Sequence, residues 1–196
     1  MKIGRLIFIF MFLAASVQAG DAYFGITTLD AGTADAWMPL QNTIRGPKFT
    51  ITENGTADSL YAQISHEGSD SKLKGAIYRA GDTTQVAASS EVTVSGNVNG
   101  WQAMPITATL KADTAYFLMF WADNIPADSM HIRRGDSAGF NYIYKASQTY
   151  GTWPDPLTAM TNYSAGFLVG YCSYTAGAPA AVTKQIGAGK LGAGKW

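Results

Sequence analysis

The chain reads as an all-β protein, a two-sheet antiparallel β-sandwich of jelly-roll type with about ten strands. Three observations predict it. Charged residues make up only 14% of the 196, while Gly, Thr, Ser, Ala and Tyr are abundant. Beyond residue 20 no long stretch carries the 3.6-residue apolar period of an amphipathic helix. Short alternating segments bounded by turn residues recur instead.

Taken in order, residues 22–27 and 37–40 read as short edge strands. Phe49-Thr50-Ile51-Thr52 alternates apolar with polar and ends at Glu53-Asn54-Gly55, whose Asn-Gly pair supplies positive φ. In the next strand Leu60, Ala62 and Ile64 mark one face, and Tyr61, Gln63 and Ser65 the other. Residues 73–78 form a third segment that stops at Ala80-Gly81-Asp82. Residues 91–95 follow, and Gly96 to Gly100 is expected to close a hairpin into a strand over 101–106. Lys111-Ala112-Asp113 is a turn before Tyr116-Phe117-Leu118-Met119-Phe120-Trp121. That segment is apolar on both faces, so it belongs at the centre of a sheet or at a subunit contact. Residues 130–133, 140–145 and 167–174 complete the series. Two packed sheets are the economical arrangement, with a closed barrel as the alternative.

The two ends differ from this pattern. Lys2 and Arg5 precede an apolar run over 6–15 and small residues at Val17-Gln18-Ala19, the layout of a secretory signal cleaved after Ala19. The run is too short for a bilayer core of about 30 Å, and no later stretch is longer. The expectation is an exported protein, secreted or held at the cell surface, with domain residues 20–175. Removing Lys2 and Arg5 from 14 basic residues leaves 12 against 14 acidic ones, a net charge of −2. This balance argues against a nucleic-acid partner and a polybasic membrane patch. Residues 176–196 form a Gly/Ala/Lys-rich tail or linker in which Ile186-Gly187-Ala188-Gly189-Lys190 is echoed by Leu191-Gly192-Ala193-Gly194-Lys195. Cys172 is the lone cysteine, so the fold must be held by its core rather than by an internal disulfide.

Several segments resemble a recurrent jelly-roll-like β-sandwich module of bacterial secreted and phage-associated proteins, whose activity is generally unassigned. The matching pieces are Phe49-Thr50-Ile51-Thr52-Glu53-Asn54-Gly55-Thr56, Gly75-Ala76-Ile77-Tyr78, Ser90-Glu91-Val92 and Gly100-Trp101. Leu110-Lys111-Ala112-Asp113-Thr114-Ala115-Tyr116, Tyr150-Gly151-Thr152-Trp153-Pro154-Asp155-Pro156-Leu157 and the closing strand 171–174 also match. The resemblance implies a sandwich similar in outline to many carbohydrate-binding modules. It supplies no catalytic residue.

Little in the chain points to catalysis. Gly189-Lys190-Leu191-Gly192-Ala193-Gly194-Lys195 has phosphate-loop spacing, but Trp196 stands where Ser or Thr should hold Mg²⁺. His66 and His131 fall in separate strands outside any nucleophile motif and read as partly exposed strand residues. Glu53, Glu67 and Glu91 sit in or beside turns, without a sign of the paired carboxylates that glycoside hydrolysis needs. His131-Ile132-Arg133-Arg134 is a local basic run. Asp123, Asn124, Asp128 and Asp136 could supply oxygen ligands to a structural calcium ion, although no EF-hand spacing appears. No other cofactor is implied.

Aromatic residues are the best lead. Tyr142 and Tyr144 alternate on one strand, and Tyr150, Trp153 and Asp155 fall in a long loop. Flat rings beside polar side chains suit sugars, which combine apolar C–H faces with polar rims. The expectation is a non-catalytic binding or adhesion module for a surface glycan. The alternative is a structural subunit of an extracellular filament or surface layer, partnered by neighbouring copies of itself.

Overall fold

A computed structural model describes residues 21–28, 34–123, 130–136, 141–164 and 166–177. The signal segment 1–19, tail residues 178–196, Asn124 and Asp128 lie outside the described residues. The described strands are β1 (Asp21–Gly25), β2 (Ala34–Pro39), β3 (Ile44–Thr50), β4 (Gly55–His66), β5 (Ser71–Arg79), β6 (Gln85–Ala88) and β7 (Val92–Val94). They continue with β8 (Val98–Leu110), β9 (Ala115–Ala122), β10 (His131–Asp136), β11 (Tyr142–Lys145), β12 (Thr161–Tyr163), β13 (Phe167–Leu168) and β14 (Gly170–Ala176).

They make two antiparallel sheets of seven strands each, a sandwich rather than a closed barrel. The first sheet runs β1-β14-β4-β10-β13, with β8 beside β4 and β2 beside β10. Its spine is β4 paired with β8 from Gly55↔Leu110 to His66↔Val98. A bulge between Ala57 and Ser59 shifts this register, so Ala57 and Leu60 both face inward despite their odd spacing. The second sheet runs β12-β11-β3-β9-β5-β6, with β7 also on β5.

The apolar segment of β9 is central, as its two-sided pattern predicts. Tyr116, Leu118, Phe120 and Ala122 enter the core between the sheets. Phe117, Met119 and Trp121 point the other way, into a second, smaller core with Ile44, Ala76, Tyr78, Ile143, Trp153 and Leu157. Gly46 lets β3 lie close to this strand, because a Cβ there would fall 2.0 Å from the Leu118 carbonyl oxygen.

Two expectations are corrected. Gly96 to Gly100 does not close a hairpin: β7 pairs with β5 in the second sheet, whereas β8 pairs with β4 in the first. The chain crosses between sheets there, and the turn residues mark a reversal without naming its partner. His66 is buried, at 1% exposure, rather than partly exposed. Its Nδ1 lies 2.9 Å from the Gly96 carbonyl oxygen and therefore carries the proton that donates to it.

Candidate functional site

The outer face of the second sheet is closed by the segment after β11. Tyr150, Trp153, Leu157 and Met160 pack down on Phe117, Met119 and Trp121. Polar bonds pin this segment at several points. Tyr78 donates its hydroxyl hydrogen to the Pro154 carbonyl at 2.7 Å, Leu157 N–H donates to the Thr83 carbonyl at 2.9 Å, and Gln85 N–H donates to Asp155 Oδ1 at 2.9 Å. Burial, and then the Asp155 charge, push the Tyr78 hydroxyl far above its ordinary pKa.

Lys74 stands inside this layer at 6% exposure. Its Nζ lies 4.2 Å from the Tyr150 ring centroid, 4.5 Å from Trp121 and 5.4 Å from Trp153, and it donates to the Gly151 carbonyl. A buried ammonium without a paired carboxylate costs several kcal/mol. Ring faces contribute about 0.5–2 kcal/mol each where solvent is excluded, so three rings and a carbonyl offset much of that cost. Burial still pulls the Lys74 pKa below its usual value, with Glu91 acting in the opposite direction. Burial, followed by Glu91, raises that of Tyr150 well beyond the normal tyrosine range.

Beside this cage opens a cleft of about 540 Å³, with Lys74 itself, Glu91, Asp155, Ser90, Gln85 and Trp153 among the residues of its walls. The structure thus brings Trp153 and Asp155 together there, with Tyr150 behind Lys74. Trp153 is only 9% exposed, and its rings meet Trp121 and Tyr78 edge-on at 5.3 and 6.2 Å. It is chiefly a packing residue that shows one edge to the cleft.

Tyr142 and Tyr144 lie elsewhere. Tyr142 is 1% exposed and stacks on Tyr163 at 5.0 Å, with Tyr144 tilted against it at 6.4 Å. Two guanidiniums flank this ladder, Arg45 over Tyr144 at 5.4 Å and Arg134 over Tyr163 at 4.7 Å. Arg45 is itself buried and donates from Nε to the Pro39 carbonyl at 2.7 Å. Burial works against the Arg134 charge, but its bond and ion pair with Asp136 outweigh it and raise the pKa. Neither face of the Tyr142 ring is open to a ligand.

The carboxylates named as calcium ligands are engaged in separate places. Asp123 Oδ1 accepts from the Ser71 hydroxyl at 2.5 Å and Lys72 N–H at 2.9 Å, tying the end of β9 to the start of β5. Asp136 pairs with Arg134. Among the described residues no group of three His, Cys, Asp or Glu side chains could hold a metal ion. The basic run is also divided: alternation along β10 buries Ile132 and turns Arg134 to its side, leaving His131 and Arg133 on the opposite face.

The outer face of the first sheet has a different character. Four aromatic side chains gather there from β1, β14, β4 and β8, which are successive neighbours. Tyr61 and Tyr171 are cross-strand partners whose rings stack at 4.5 Å and 8°. Trp101 meets Tyr171 edge-on at 5.1 Å, and Tyr23 does so at 5.9 Å from the other side. Tyr23 is 63% exposed and Trp101 40%. Three inter-strand spacings of about 4.8 Å give the array a reach of roughly 14 Å. Gln63 lies directly opposite Trp101 and accepts from Arg133 Nη1 at 3.2 Å, which adds a polar border.

No family model and no curated protein matches the chain. Among solved structures, one similar chain comes from "Structure of infectious bursal disease virus Gx strain", with 13% sequence identity and a TM-score of 0.27. The match covers 81% of this chain and 42% of the viral one. The functional reading rests on the geometry of this chain alone.

Sequence reasoning passes over all four residues of the exposed array. The signal is partly present: Tyr61 sits on the face of β4 opposite Leu60, Ala62 and Ile64, and Tyr171 alternates with Cys172. What it lacks is strand order, which alone makes neighbours of β1, β14, β4 and β8.

Proposed function

We propose that the protein is an exported, non-catalytic binding module that holds a surface polysaccharide against the outer face of its first sheet. The observation that carries this reading is the Tyr23–Tyr171–Tyr61–Trp101 array, with two of its rings substantially exposed. An apolar group facing water is an ordinary interaction signal. Here its shape supports a sugar chain. The rings are already held by one another, in pairs worth about 0.5–1.5 kcal/mol each. A ligand therefore meets a surface that has little rotamer freedom left to lose. Pyranose rings offer apolar C–H faces to such a surface, and Gln63 and Arg133 lie where the hydroxyl rim would fall.

The test is co-sedimentation of residues 20–196 with a panel of insoluble polysaccharides. The wild-type protein should be retained by at least one of them. Trp101→Ala should weaken that binding about tenfold, equivalent to ~1.4 kcal/mol, with unchanged thermal stability. Equal retention of Trp101→Ala and Tyr61→Ala would rule the array out.

One observation favours the second reading, a subunit of an extracellular filament or surface layer. Along Val98–Leu110, β8 pairs with β4 only, leaving its other edge open among the described residues. Open edges are templates for strand addition, although Pro105 within β8 interrupts this one. Concentration-dependent growth in light scattering, abolished by deleting residues 176–196, would favour assembly over glycan binding.

A further inference from the structure

We propose that the cleft on the outer face of the second sheet is a separate ligand site, selective for neutral or amino-bearing sugar units and closed to acidic ones. It does not depend on the exposed array, which lies on the other sheet. The volume of about 540 Å³ falls within the range of small-molecule sites. Its charge pattern sets the ligand class. Lys74 also lines the cleft, but three rings and the Gly151 carbonyl surround its Nζ and occupy its charge. Glu91 and Asp155 do offer theirs: both are exposed, and among the described residues neither forms a direct ion pair, although Glu91 acts at longer range on Lys74.

Asp155 is held in place by the Gln85 N–H, which takes one carboxylate oxygen and leaves the other for a ligand. Ser90 and Thr152 add hydroxyls to the walls. Within the same layer, the indole N–H of Trp153 is buried without a hydrogen-bond partner among the described residues. Buried polar groups are normally satisfied, so an orphaned N–H on a wall residue is a second pointer to an occupant with acceptor atoms. Ligand hydroxyls can donate to both carboxylates and accept from an indole; an ammonium adds an ionic bond to either acid. A uronate or sulfated sugar would instead face two like charges against a single ammonium already held by three rings and a carbonyl.

Indole N–H resonances of isotopically labelled protein provide the test, because Trp153 and Trp101 then report the cleft and the array in one spectrum. Glucose, glucosamine and glucuronate would be titrated separately at constant ionic strength and pH. We expect the Trp153 signal to move saturably with glucose and more steeply with glucosamine, and to stay still with glucuronate. Glu91→Gln, at an exposed position, should weaken glucosamine binding about tenfold, the size of a charged hydrogen bond. A Trp153 signal that ignores all three sugars at millimolar concentrations overturns the proposal. So does one that responds equally to glucuronate or is unaffected by Glu91→Gln. Movement of Trp101 alone would sink the cleft and keep the array.

Discussion

The outer faces of the two sheets carry similar residues and come to opposite ends. Both carry aromatic side chains from neighbouring strands on the side away from the main core. On the second sheet the segment around Trp153 folds over Trp121, Phe117 and Met119 and turns them into a second core with a caged lysine at its centre. Over the first sheet no described segment closes Tyr23, Tyr61, Trp101 and Tyr171, whose rings pack on one another at the surface. The lesson is that an aromatic side chain on an outward strand position has no fixed meaning. Coverage decides whether it is structural or available.

That contrast predicts its largest effect in paired substitutions. Trp121→Ala removes a 1%-exposed side chain from beneath the covering segment and should cost about 3–5 kcal/mol in chemical denaturation. Trp101→Ala should change stability by less than ~0.5 kcal/mol. Comparable losses at the two positions would erase the distinction.

Lys74 separates packing from charge within the covered layer. Lys74→Met keeps most of the buried stem and discards the desolvated charge, so its stability should stay within about 1 kcal/mol of wild type or rise. Lys74→Ala leaves a void under three rings and should cost about 2–3 kcal/mol. Thermal denaturation of both variants checks this order.

Alkaline pH gives a smaller effect of definite sign. The hydroxyls of Tyr78 and Tyr150 are raised by burial, so the fold favours their neutral forms. Their contribution is complete below the unfolded tyrosine pKa of about 10 and is lost as pH rises beyond it. Lys74, lowered by burial, acts in the opposite sense, adding stability as pH climbs from its folded pKa towards its unfolded one. Denaturation midpoints should therefore fall above pH ~10, and more steeply in Lys74→Met, which lacks the opposing gain.

The smallest effect concerns Cys172. Burial, followed by the charge of Asp58, pushes its thiol up to about 12. In the native protein at neutral pH it should resist a thiol-specific reagent, reacting at the free-cysteine rate only after unfolding.

The main architecture is legible in the residues because it depends on patterns local to a strand. The two-sided apolar run of β9 requires cover on both faces, and the alternation at Leu60, Ala62 and Ile64 orients β4. Gln85–Ala88 and Thr161–Tyr163 escape notice because short strands of such composition carry no periodic signal. Pairing is harder still. Asn97 and Gly100 announce a change of direction, while the choice between β5 and β4 depends on distant partners. The same limit applies to the site. Tyr150, Trp153 and Asp155 sit in a loop, and nothing in a loop's composition says that it will lie down on a sheet. The Tyr61–Tyr171 stack joins residues 110 positions apart.

Hydroxyl-radical footprinting with and without a polysaccharide that retains the protein is the most direct trial of the central claim. The account predicts that Tyr23, Tyr61, Trp101 and Tyr171 are modified in the free protein and protected together in the complex, while Trp121 remains unmodified in both. Protection that spares the four-ring array would contradict it.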